Sequence, residues 1–318
     1  MHDQAQFNSE SKNKNNYKNL SCPNCKSKNI IKRGFRQTQN RGKIQRYSCK
    51  DCKHRFVKDE GFYHMRNSPQ KITLCLDLFF RGISTRKIQE HLQAFYAKNA
   101  SWVSIYFWVI KYPRIISKFT DNLKLKVGQE VQVDEIEFHR RKHPKKKQGI
   151  DKNWFIDSID TTTKFIVASE YEKSREKENL KRILKSIKNK TENQIKIITT
   201  DGLTAYTNIV KKSFGYNNKE GKYNVNHNVV NASQGEGFNH PIERLHNSIR
   251  HRTKTFRGFH GSIDSAKAIM NGMEIYYNFI TKHQAINCCP YELATNLKLN
   301  SENKWLELIR LSKKRNFQ

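Results

Sequence analysis

Short β-branched apolar runs alternate with longer amphipathic segments from about residue 128 onward. Three runs with strand-like alternation, at Val131–Phe138, Trp154–Asp160 and Lys164–Tyr171, follow one another closely and predict hairpin-linked strands. A charged segment with helical spacing then covers Ser174–Lys190, and Ile195–Thr200 is a fourth strand-like run. This alternation of periods predicts a domain of the α/β class.

The same alternation continues towards the end of the chain. It predicts a short helix, a fifth strand, two long helices and a terminal amphipathic helix, at Leu203–Lys212, Lys222–Val230, Pro241–Thr255, Ile263–Lys282 and Asn303–Arg315. Three hairpin strands followed by helix, strand, helix, strand and helix is the order of an RNase H-like mixed sheet. We therefore predict an RNase H-like core for most of the chain.

Helical periodicity also covers residues 68–112 and predicts three helices. Ser68-Pro69 begins the first helix, which ends at Arg81-Gly82, and Ser84 is the predicted N-cap of the second. The short turn at Gly82 is typical of a helix-turn-helix.

The third helix of this group would be the recognition helix. Asn99 or Ser101 is its predicted N-cap, and Pro113 lies just past its predicted end. Ser101, Ser104 or Tyr106 would then face DNA. The alternative is a plain three-helix packing module without base readout.

Four cysteines upstream form two CxxC pairs, Cys22 with Cys25 and Cys49 with Cys52. The spacer between the pairs carries two strand-like stretches around a polar turn. Paired CxxC knuckles across a hairpin supply four thiolates for a structural Zn²⁺ ion. Disulfide pairing is the alternative, which a reducing cytosol disfavours. The pattern therefore predicts a zinc ribbon.

The net charge narrows the range of partners. The chain has 60 Lys+Arg against 29 Asp+Glu, a formal net charge of +31. A protein this basic is expected to bind a polyanion, with DNA or RNA ahead of an anionic membrane surface. No apolar run approaches membrane-spanning length, and the first twenty residues lack the apolar centre of a secretion signal. We expect a cytoplasmic, nucleoid-associated protein without membrane contact.

Three carboxylates lie where a metal-dependent nucleic-acid enzyme would place them. Asp134 falls in the first strand, Asp201 at the end of the fourth, and Glu243 at the start of a basic helix. Two Mg²⁺ ions, or Mn²⁺ in their place, would be held by such a sparse acidic set. These ions activate an attacking oxygen and stabilise the leaving oxygen in phosphodiester chemistry.

Each of these acids has an alternative interpretation. The same strands carry further acids that compete with Asp134, namely Glu135, Glu137, Asp157 and Asp160. Of these, Asp160 has the surroundings of a turn residue. Asp201 can instead cap the following helix, and Glu243 can instead belong to a solvated polar row on its helix.

Basic residues near these acids are the predicted DNA contacts. They are Arg140, Arg141, Lys145, Lys146, Arg250, Arg252 and Lys254. Lys and Arg in such runs neutralise backbone phosphates and fix the position of a duplex. A solvated charged loop is the alternative for the first four.

With these motifs in view, the chain resembles the DDE transposases of insertion sequences, in particular the insertion-sequence-six group with its integrase-like catalytic core. The resemblance spans about residues 65–295 and is carried by VDEIEF, NWFIDSIDTTTKF, IITTDGLTAY and FNHPIERLHNSIRHRTK. It implies two-metal DNA cleavage and strand transfer at terminal inverted repeats and into target DNA, by a homo-oligomer. It also implies that Asp134, Asp201 and Glu243 are the acidic triad and that Arg250 is the family's basic residue.

The chain departs from the family pattern in one spacing. Forty-one residues lie between Asp201 and Glu243, whereas the family typically has thirty-four. Glu236 matches the family spacing but lies between two glycines in SQGEGF, which is typical of a loop. We therefore predict Glu243 as the third acid, and Glu236 stays open as the alternative.

Together these patterns divide the chain into five predicted segments. They are a disordered tail at 1–20, the zinc ribbon at 21–60, the helix-turn-helix module at 66–115, the RNase H-like catalytic domain at 126–290 and a C-terminal helix at 291–318. The predicted function is that of a DNA transposase. The alternative is a non-catalytic or domesticated DNA-binding protein that uses only the ribbon and the helix-turn-helix.

Overall fold

The computed structural model describes residues 20–38, 41–96, 100–141, 150–230, 240–256, 259 and 261–315. The chain forms two compact units, and the division falls between Ser68 and Pro69. Each unit is described by itself below. Within the described ranges, no helix is both long enough and apolar enough to cross a lipid bilayer.

The first unit contains an antiparallel sheet. Its strands, in the order β1-β2-β3, are β1 (Ile30–Thr38), β2 (Gly42–Cys49) and β3 (Arg55–Val57). Thr38 pairs with Gly42, so the predicted hairpin between the two cysteine pairs is confirmed. The φ of +64° at Gly42 suits glycine, because a side chain would be strained there. This hairpin brings both ends of the cysteine spacer together.

The second unit begins with three helices, at α1 (Pro69–Phe80), α2 (Thr85–Phe95) and α3 (Trp102–Thr120). The predicted caps are confirmed, because Ser84 accepts the N–H of Lys87 and Ser101 accepts that of Ser104. All three helices belong to the same compact unit as the large sheet.

The predicted end of α3 at Pro113 is wrong, because the helix continues through this proline to Thr120. A proline inside a helix removes one backbone hydrogen bond and is destabilising by itself. Here Pro113 is buried, and so are its helix neighbours Tyr112, Ile116 and Phe119. Burial of this apolar face offsets the lost hydrogen bond. Sequence periodicity alone does not show that residues on both sides of Pro113 are buried.

The large sheet of the second unit is mixed. Within the described residues its order is β10-β7-β4-β5-β6, from β4 (Glu130–Arg141), β5 (Ile150–Asp160), β6 (Ile166–Glu172), β7 (Ile197–Thr200) and β10 (Asn226–Val229). The strands β4, β5 and β6 pair antiparallel, while β7 runs parallel to β4 and β10 parallel to β7. This arrangement fits the predicted RNase H-like core.

Six helices accompany this sheet in the described part of the chain. They are α4 (Lys177–Thr191), α5 (Thr204–Phe214), α6 (His240–Thr253), α7 (Ile263–Ile275), α8 (Pro290–Ala294) and α9 (Lys304–Arg315). A 3₁₀ turn at Lys254–Phe256 follows α6, and a π-helical turn at Tyr276–Ile280 follows α7. In that π turn, the buried Asn278 side chain makes two hydrogen bonds to the backbone of Ile166. Its Oδ1 accepts from the N–H of Ile166, and its Nδ2 donates to the C=O of Ile166. Its amide thus pairs the helix with the backbone of the edge strand β6.

The predicted strand Lys222–Val230 is two strands instead of one. Lys222–Tyr223 (β9) forms a small hairpin with β8 (Tyr216–Asn217), and β10 joins the large sheet. Asn224, between them, donates its side-chain amide to the C=O of Phe214 and its backbone N–H to the C=O of Gly215. These bonds hold the chain in the small hairpin and end the strand there.

Helices pack on both faces of the large sheet. Glu135 contacts Tyr206 of α5, whereas its neighbour Asp134 contacts His246 of α6. Successive strand residues point to opposite faces, so α5 and α6 lie on opposite sides of β4. The helix α7 packs against β6, and α3 packs in turn against α7.

The contact between α1 and α7 depends on Gly272. A Cβ at this position would collide with the ring of Phe80. We expect Gly272→Ala to lower the free energy of unfolding by about 1–3 kcal/mol, the usual cost of overpacking. Thermal unfolding followed by circular dichroism would measure it. The double variant Gly272→Ala/Phe80→Leu should recover part of the loss, and an unchanged melting temperature in the single variant would contradict this packing.

Candidate active site and cysteine cluster

The pairing of two strands brings two of the predicted acids together. In the parallel β4–β7 pair, Val133 lies opposite Thr200. The next residues along the two strands are Asp134 and Asp201, which therefore become neighbours at the point where β7 ends. Ligand groups in α/β sheets gather at such strand ends.

A third carboxylate at this point comes from Glu135. One carboxylate oxygen from each of Asp134, Glu135 and Asp201 lies within 4.8 Å of the other two. Glu135 is the next residue after Asp134 and points to the other face of the sheet. Because β7 stops at Thr200, Asp201 lies beyond the strand end and is within reach of both side chains. Glu135 and Asp134 are rivals by sequence pattern, and the structure brings both into the cluster.

Asp134 is held through both of its oxygens. Its Oδ1 accepts the backbone N–H of Glu135 at 2.7 Å, and its Oδ2 lies 3.5 Å from Nδ1 of His246. Burial raises the pKa of the Asp134 carboxyl, although the charge on His246 partly offsets this. The neighbouring carboxylates act in the same direction as burial. A cation at this place would relieve that repulsion.

Glu135 is fixed by a tyrosine on α5. The buried Tyr206 donates its hydroxyl to Oε1 of Glu135 at 2.7 Å. Burial raises the pKa of the Glu135 carboxyl to about 7, despite the hydrogen bond from Tyr206. Its proton is therefore easily lost near neutral pH when a cation is supplied.

Asp201 also shapes the backbone after β7. Its Oδ1 accepts the N–H of Leu203 at 3.0 Å, immediately before α5. The alternative of an aspartate that caps α5 is wrong, because Leu203 is the N-cap and no side chain caps this helix; Asp201 forms a turn just before it. The contact uses one carboxylate oxygen and fixes the side chain beside Asp134, so the two roles are compatible.

Glu243 does not join this cluster in the structure. It lies in the first turn of α6, and its side chain is exposed. His246, three residues further along α6, is the residue of this helix that reaches Asp134. Positions three apart are neighbours on a helix surface, so Glu243 lies beside the residue that contacts the acidic cluster. Glu236, the alternative third acid, lies outside the described residues.

Most of the residues around the acidic cluster, apart from Asp134 and Glu135 of β4, lie within a match to a known family. Residues 151–284 match the family model of the DDE domain of IS240-type transposases. The chain carries a DDE transposase domain. The match includes Asp201 and Glu243 and begins after Asp134. No curated protein matches the chain at a significant level.

A DDE domain of this kind indicates a metal-dependent transposase, an enzyme that acts on DNA. The matched residues run from β5 through α7 and contain four of the five described strands of the mixed sheet, with β4 outside the match. The alternative of a DNA-binding protein without a catalytic domain is not favoured by this finding.

Two acids of β5 differ in their surroundings. Asp160 accepts hydrogen bonds from the N–H and hydroxyl of Thr163 and from the N–H of Gly128. It is therefore the turn residue that its sequence surroundings predicted. Asp157 is fully buried and pairs with His246 at 2.8 Å. Sequence analysis did not single out His246, although it lies on the buried face of α6 with Leu245 and Ile249.

The predicted DNA-contacting residues of the transposase differ in whether their side chains are exposed or are bonded within the protein. Arg250 and Lys254 are exposed, on α6 and just beyond it. Arg252 instead donates a hydrogen bond to the C=O of Phe80 at 2.6 Å. Its guanidinium also lies over the ring of Tyr276, and its Cζ is 4.2 Å from the ring centroid. Its guanidinium therefore joins α6 to the end of α1, where a cation also suits the helix dipole.

Four predicted contacts remain, Arg140, Arg141, Lys145 and Lys146. The backbone of Arg140 and Arg141 belongs to β4, whereas Lys145 and Lys146 lie outside the described residues. Sequence analysis missed Arg175, which is exposed and stacks over Trp154 of β5 at 4.4 Å. Trp154 pairs with Glu137, two residues along β4 from Glu135, and the charge of Arg175 slightly opposes the burial that raises the pKa of Glu135.

The four paired cysteines of the first unit also come together. The Sγ atoms of Cys22 and Cys52 are 3.5 Å apart, those of Cys25 and Cys49 are 3.6 Å apart, and all four lie within 4.8 Å of one another. Four sulfurs about 2.3 Å from one ion have this spacing in a tetrahedral zinc site. The backbone N–H of His54 lowers the pKa of the Cys52 thiol to about 6, which favours the thiolate that binds metal.

We expect one Zn²⁺ ion per chain at this cluster. Native mass spectrometry should show it, and Cys22→Ser should abolish its binding, because the ion would lose one of four thiolates. Cys75→Ser is the matched control, since Cys75 is buried in α1 away from the cluster. Absence of stoichiometric zinc from the unaltered protein would exclude this site.

Proposed function

We propose that the transposase cuts DNA and transfers the strand at the ends of its insertion sequence with two Mg²⁺ ions held by Asp134, Asp201 and Glu243. The convergence of Asp134 and Asp201 at the end of β7 carries this proposal. Carboxylates held this close together repel one another unless a cation lies between them. Carboxylate oxygens are the ligands that Mg²⁺ prefers, so the donor chemistry fits this ion, and Mn²⁺ could take its place.

When bound, such a pair of ions would polarise the scissile phosphate and activate the attacking oxygen. The residues around the cluster have defined tasks. Glu135 N–H and His246 fix Asp134, and Leu203 N–H fixes Asp201. The turn of the chain after β7 therefore keeps both acids side by side while DNA enters and leaves.

Glu243 is the proposed third ligand, and α6 supports this assignment. The packing of His246 against Asp134 holds the first turn of this helix beside the cluster. Glu243 is exposed, and a glutamate side chain has three rotatable bonds, so a rotation could turn its carboxylate towards the metals. Glu135 is the rival, because its carboxylate already lies in the cluster.

The proposed DNA path follows the exposed cations near the acids. Arg250, Lys254 and Arg175 can each reach a backbone phosphate, while Arg252 is used within the protein. Arg140 and Arg141, whose backbone belongs to β4, would extend this path, and the proposal also includes Lys145 and Lys146. Contacts of this kind fix the position of the DNA and carry no sequence information by themselves.

Sequence preference is proposed to come from the zinc ribbon and from α1–α3. The structure changes the expectation for α3, because the hydroxyls of Ser101 and Ser104 bond to each other at the helix start. The exposed apolar side chains near this end are those of Trp102, Val103 and Phe107. Apolar contacts to thymine methyl groups are therefore better suited to α3 than hydrogen bonds from its serines.

Assembly and location complete the proposal. A transposase that joins two terminal repeats to one target has to bring three DNA segments together, so we propose a homo-oligomer on the DNA of the nucleoid. The domain boundaries predicted from the sequence, with a tail at 1–20, the zinc ribbon at 21–60, the helix-turn-helix module at 66–115, the catalytic domain at 126–290 and a C-terminal helix at 291–318, stay part of the proposal.

The acidic set can be tested by amide variants in a strand-cleavage assay with Mg²⁺. Asp134→Asn, Asp201→Asn and Glu243→Gln should each reduce cleavage and strand transfer by orders of magnitude, because the amide keeps the size but removes the charge that holds the ions. DNA binding, measured by mobility shift, should persist in all three. Full activity of Asp134→Asn would refute the catalytic assignment.

The third ligand is decided by two further variants in the same assay. Glu135→Gln should retain most activity, since the amide oxygen can still accept from Tyr206. Glu236→Gln should also be mild. Loss of cleavage in Glu135→Gln with an active Glu243→Gln would make Glu135 the third ligand, and the same result for Glu236→Gln would favour the family spacing.

The source of sequence preference can be tested by truncation. Removing residues 1–68 should strongly reduce, but not abolish, preference for the terminal repeats, because α1–α3 and the phosphate contacts of the larger unit remain and keep salt-sensitive binding. A cut after residue 115 would instead break α3, which packs on α7 and α9, and unfold the larger unit. Unchanged repeat preference in the shorter truncation would contradict this division of roles.

A further inference from the structure

Asp157 and His246 form a buried ion pair directly behind Asp134. In the antiparallel register of β4 and β5, Asp157 lies opposite Asp134. Its side chain is fully buried, and its Oδ1 lies 2.8 Å from Nε2 of His246, which is itself buried. The pair thus joins the second strand of the sheet to α6.

The other nitrogen of the same ring faces the acidic cluster. His246 Nδ1 lies 3.5 Å from Oδ2 of Asp134, so a single imidazole spans two carboxylates. Asp134 Oδ1 is already bonded to the N–H of Glu135. Each oxygen of Asp134 therefore faces a group of the protein, and the carboxylate has little freedom to rotate.

Stability alone does not explain this pair. Asp157 Oδ2 is buried and lacks a hydrogen-bond partner among the described residues. A buried ion pair is often no more stable than two apolar residues of the same volume, because both charges lose their hydration. An incompletely bonded carboxylate in the centre of a sheet is therefore costly, which points to a role in the site that it supports.

We propose that Asp157 and His246 act together as a positioning pair that holds the Asp134 carboxylate in its metal-binding orientation. This inference rests on the proposed two-metal function. Groups that hydrogen-bond to metal ligands fix their orientation, and their loss typically costs 10- to 100-fold in metal affinity or activity. His246 is assigned this indirect role because both of its nitrogens face carboxylates and it lies outside the cluster of converging donors.

The test measures Mn²⁺ affinity of the full-length protein without DNA, by isothermal titration calorimetry. The double variant Asp157→Asn/His246→Gln keeps two hydrogen-bonding side chains of similar size but leaves no buried charge, so the fold is preserved. We expect it to bind Mn²⁺ about 10- to 100-fold more weakly than the unaltered protein. His251→Gln is the matched control, because His251 is exposed on the same helix, and its affinity should not change.

Two results would overturn the inference. Equal Mn²⁺ affinity of the unaltered protein and the folded double variant would show that the pair does not position Asp134. The second result would come from pulsed electron paramagnetic resonance of bound Mn²⁺. If the unaltered protein shows a directly coordinated imidazole nitrogen and His246→Gln does not, His246 is a metal ligand instead of a positioning residue.

A further variant separates this inference from the function on which it rests. Asp201→Asn should eliminate Mn²⁺ binding if the acidic cluster holds the metals. If the unaltered protein itself binds no Mn²⁺, the two-metal function and the positioning pair both fail. If it binds Mn²⁺ and only the double variant is without effect, the positioning pair alone fails.

Discussion

The parallel pairing of β4 with β7 is the interaction on which the site depends. Their register places Asp134 and Asp201 next to each other. Because β7 ends at Thr200, the chain turns away from the sheet directly after Asp201, which stays beside Asp134. A shift of one residue in this register would move Asp134 away from Asp201 and turn an apolar valine towards α6. Buried Val131, Val133 and Ile198 oppose such a shift, because they would have to leave the core.

The order of elements and part of the site could be predicted from the sequence. The periods of the hydrophobic positions predicted the strands and helices of the mixed sheet. The spacing of the cysteines predicted the four-sulfur cluster. Asp134 and Asp201 could be predicted as site residues because each lies in or directly after a β-branched run, which is a local signal in the sequence. The caps Ser84 and Ser101 were predictable for the same reason, since a cap is decided by residues within one turn.

The remaining features depend on contacts that are distant in the sequence. Burial on both sides of Pro113 keeps α3 helical, and no local pattern shows what packs there. His246 meets Asp157 across 89 positions, and Tyr206 meets Glu135 across 71. Only the register of the sheet and the placement of α5 and α6 determine such pairs. The exposed position of Glu243 likewise depends on how α6 is rotated against β4.

The contact of Arg252 with the end of α1 has a consequence for how transposases of this kind diversify. The helix that carries Glu243 also supplies the cation that closes α1, and Gly272 of α7 leaves room for the ring at the same helix end. The N-terminal helices thus share their packing with the catalytic unit and cannot be exchanged between relatives as an independent cassette. The cysteine-bearing unit has its own boundary at Ser68, so recombination could replace it with a different module while the packing of the larger unit stays intact.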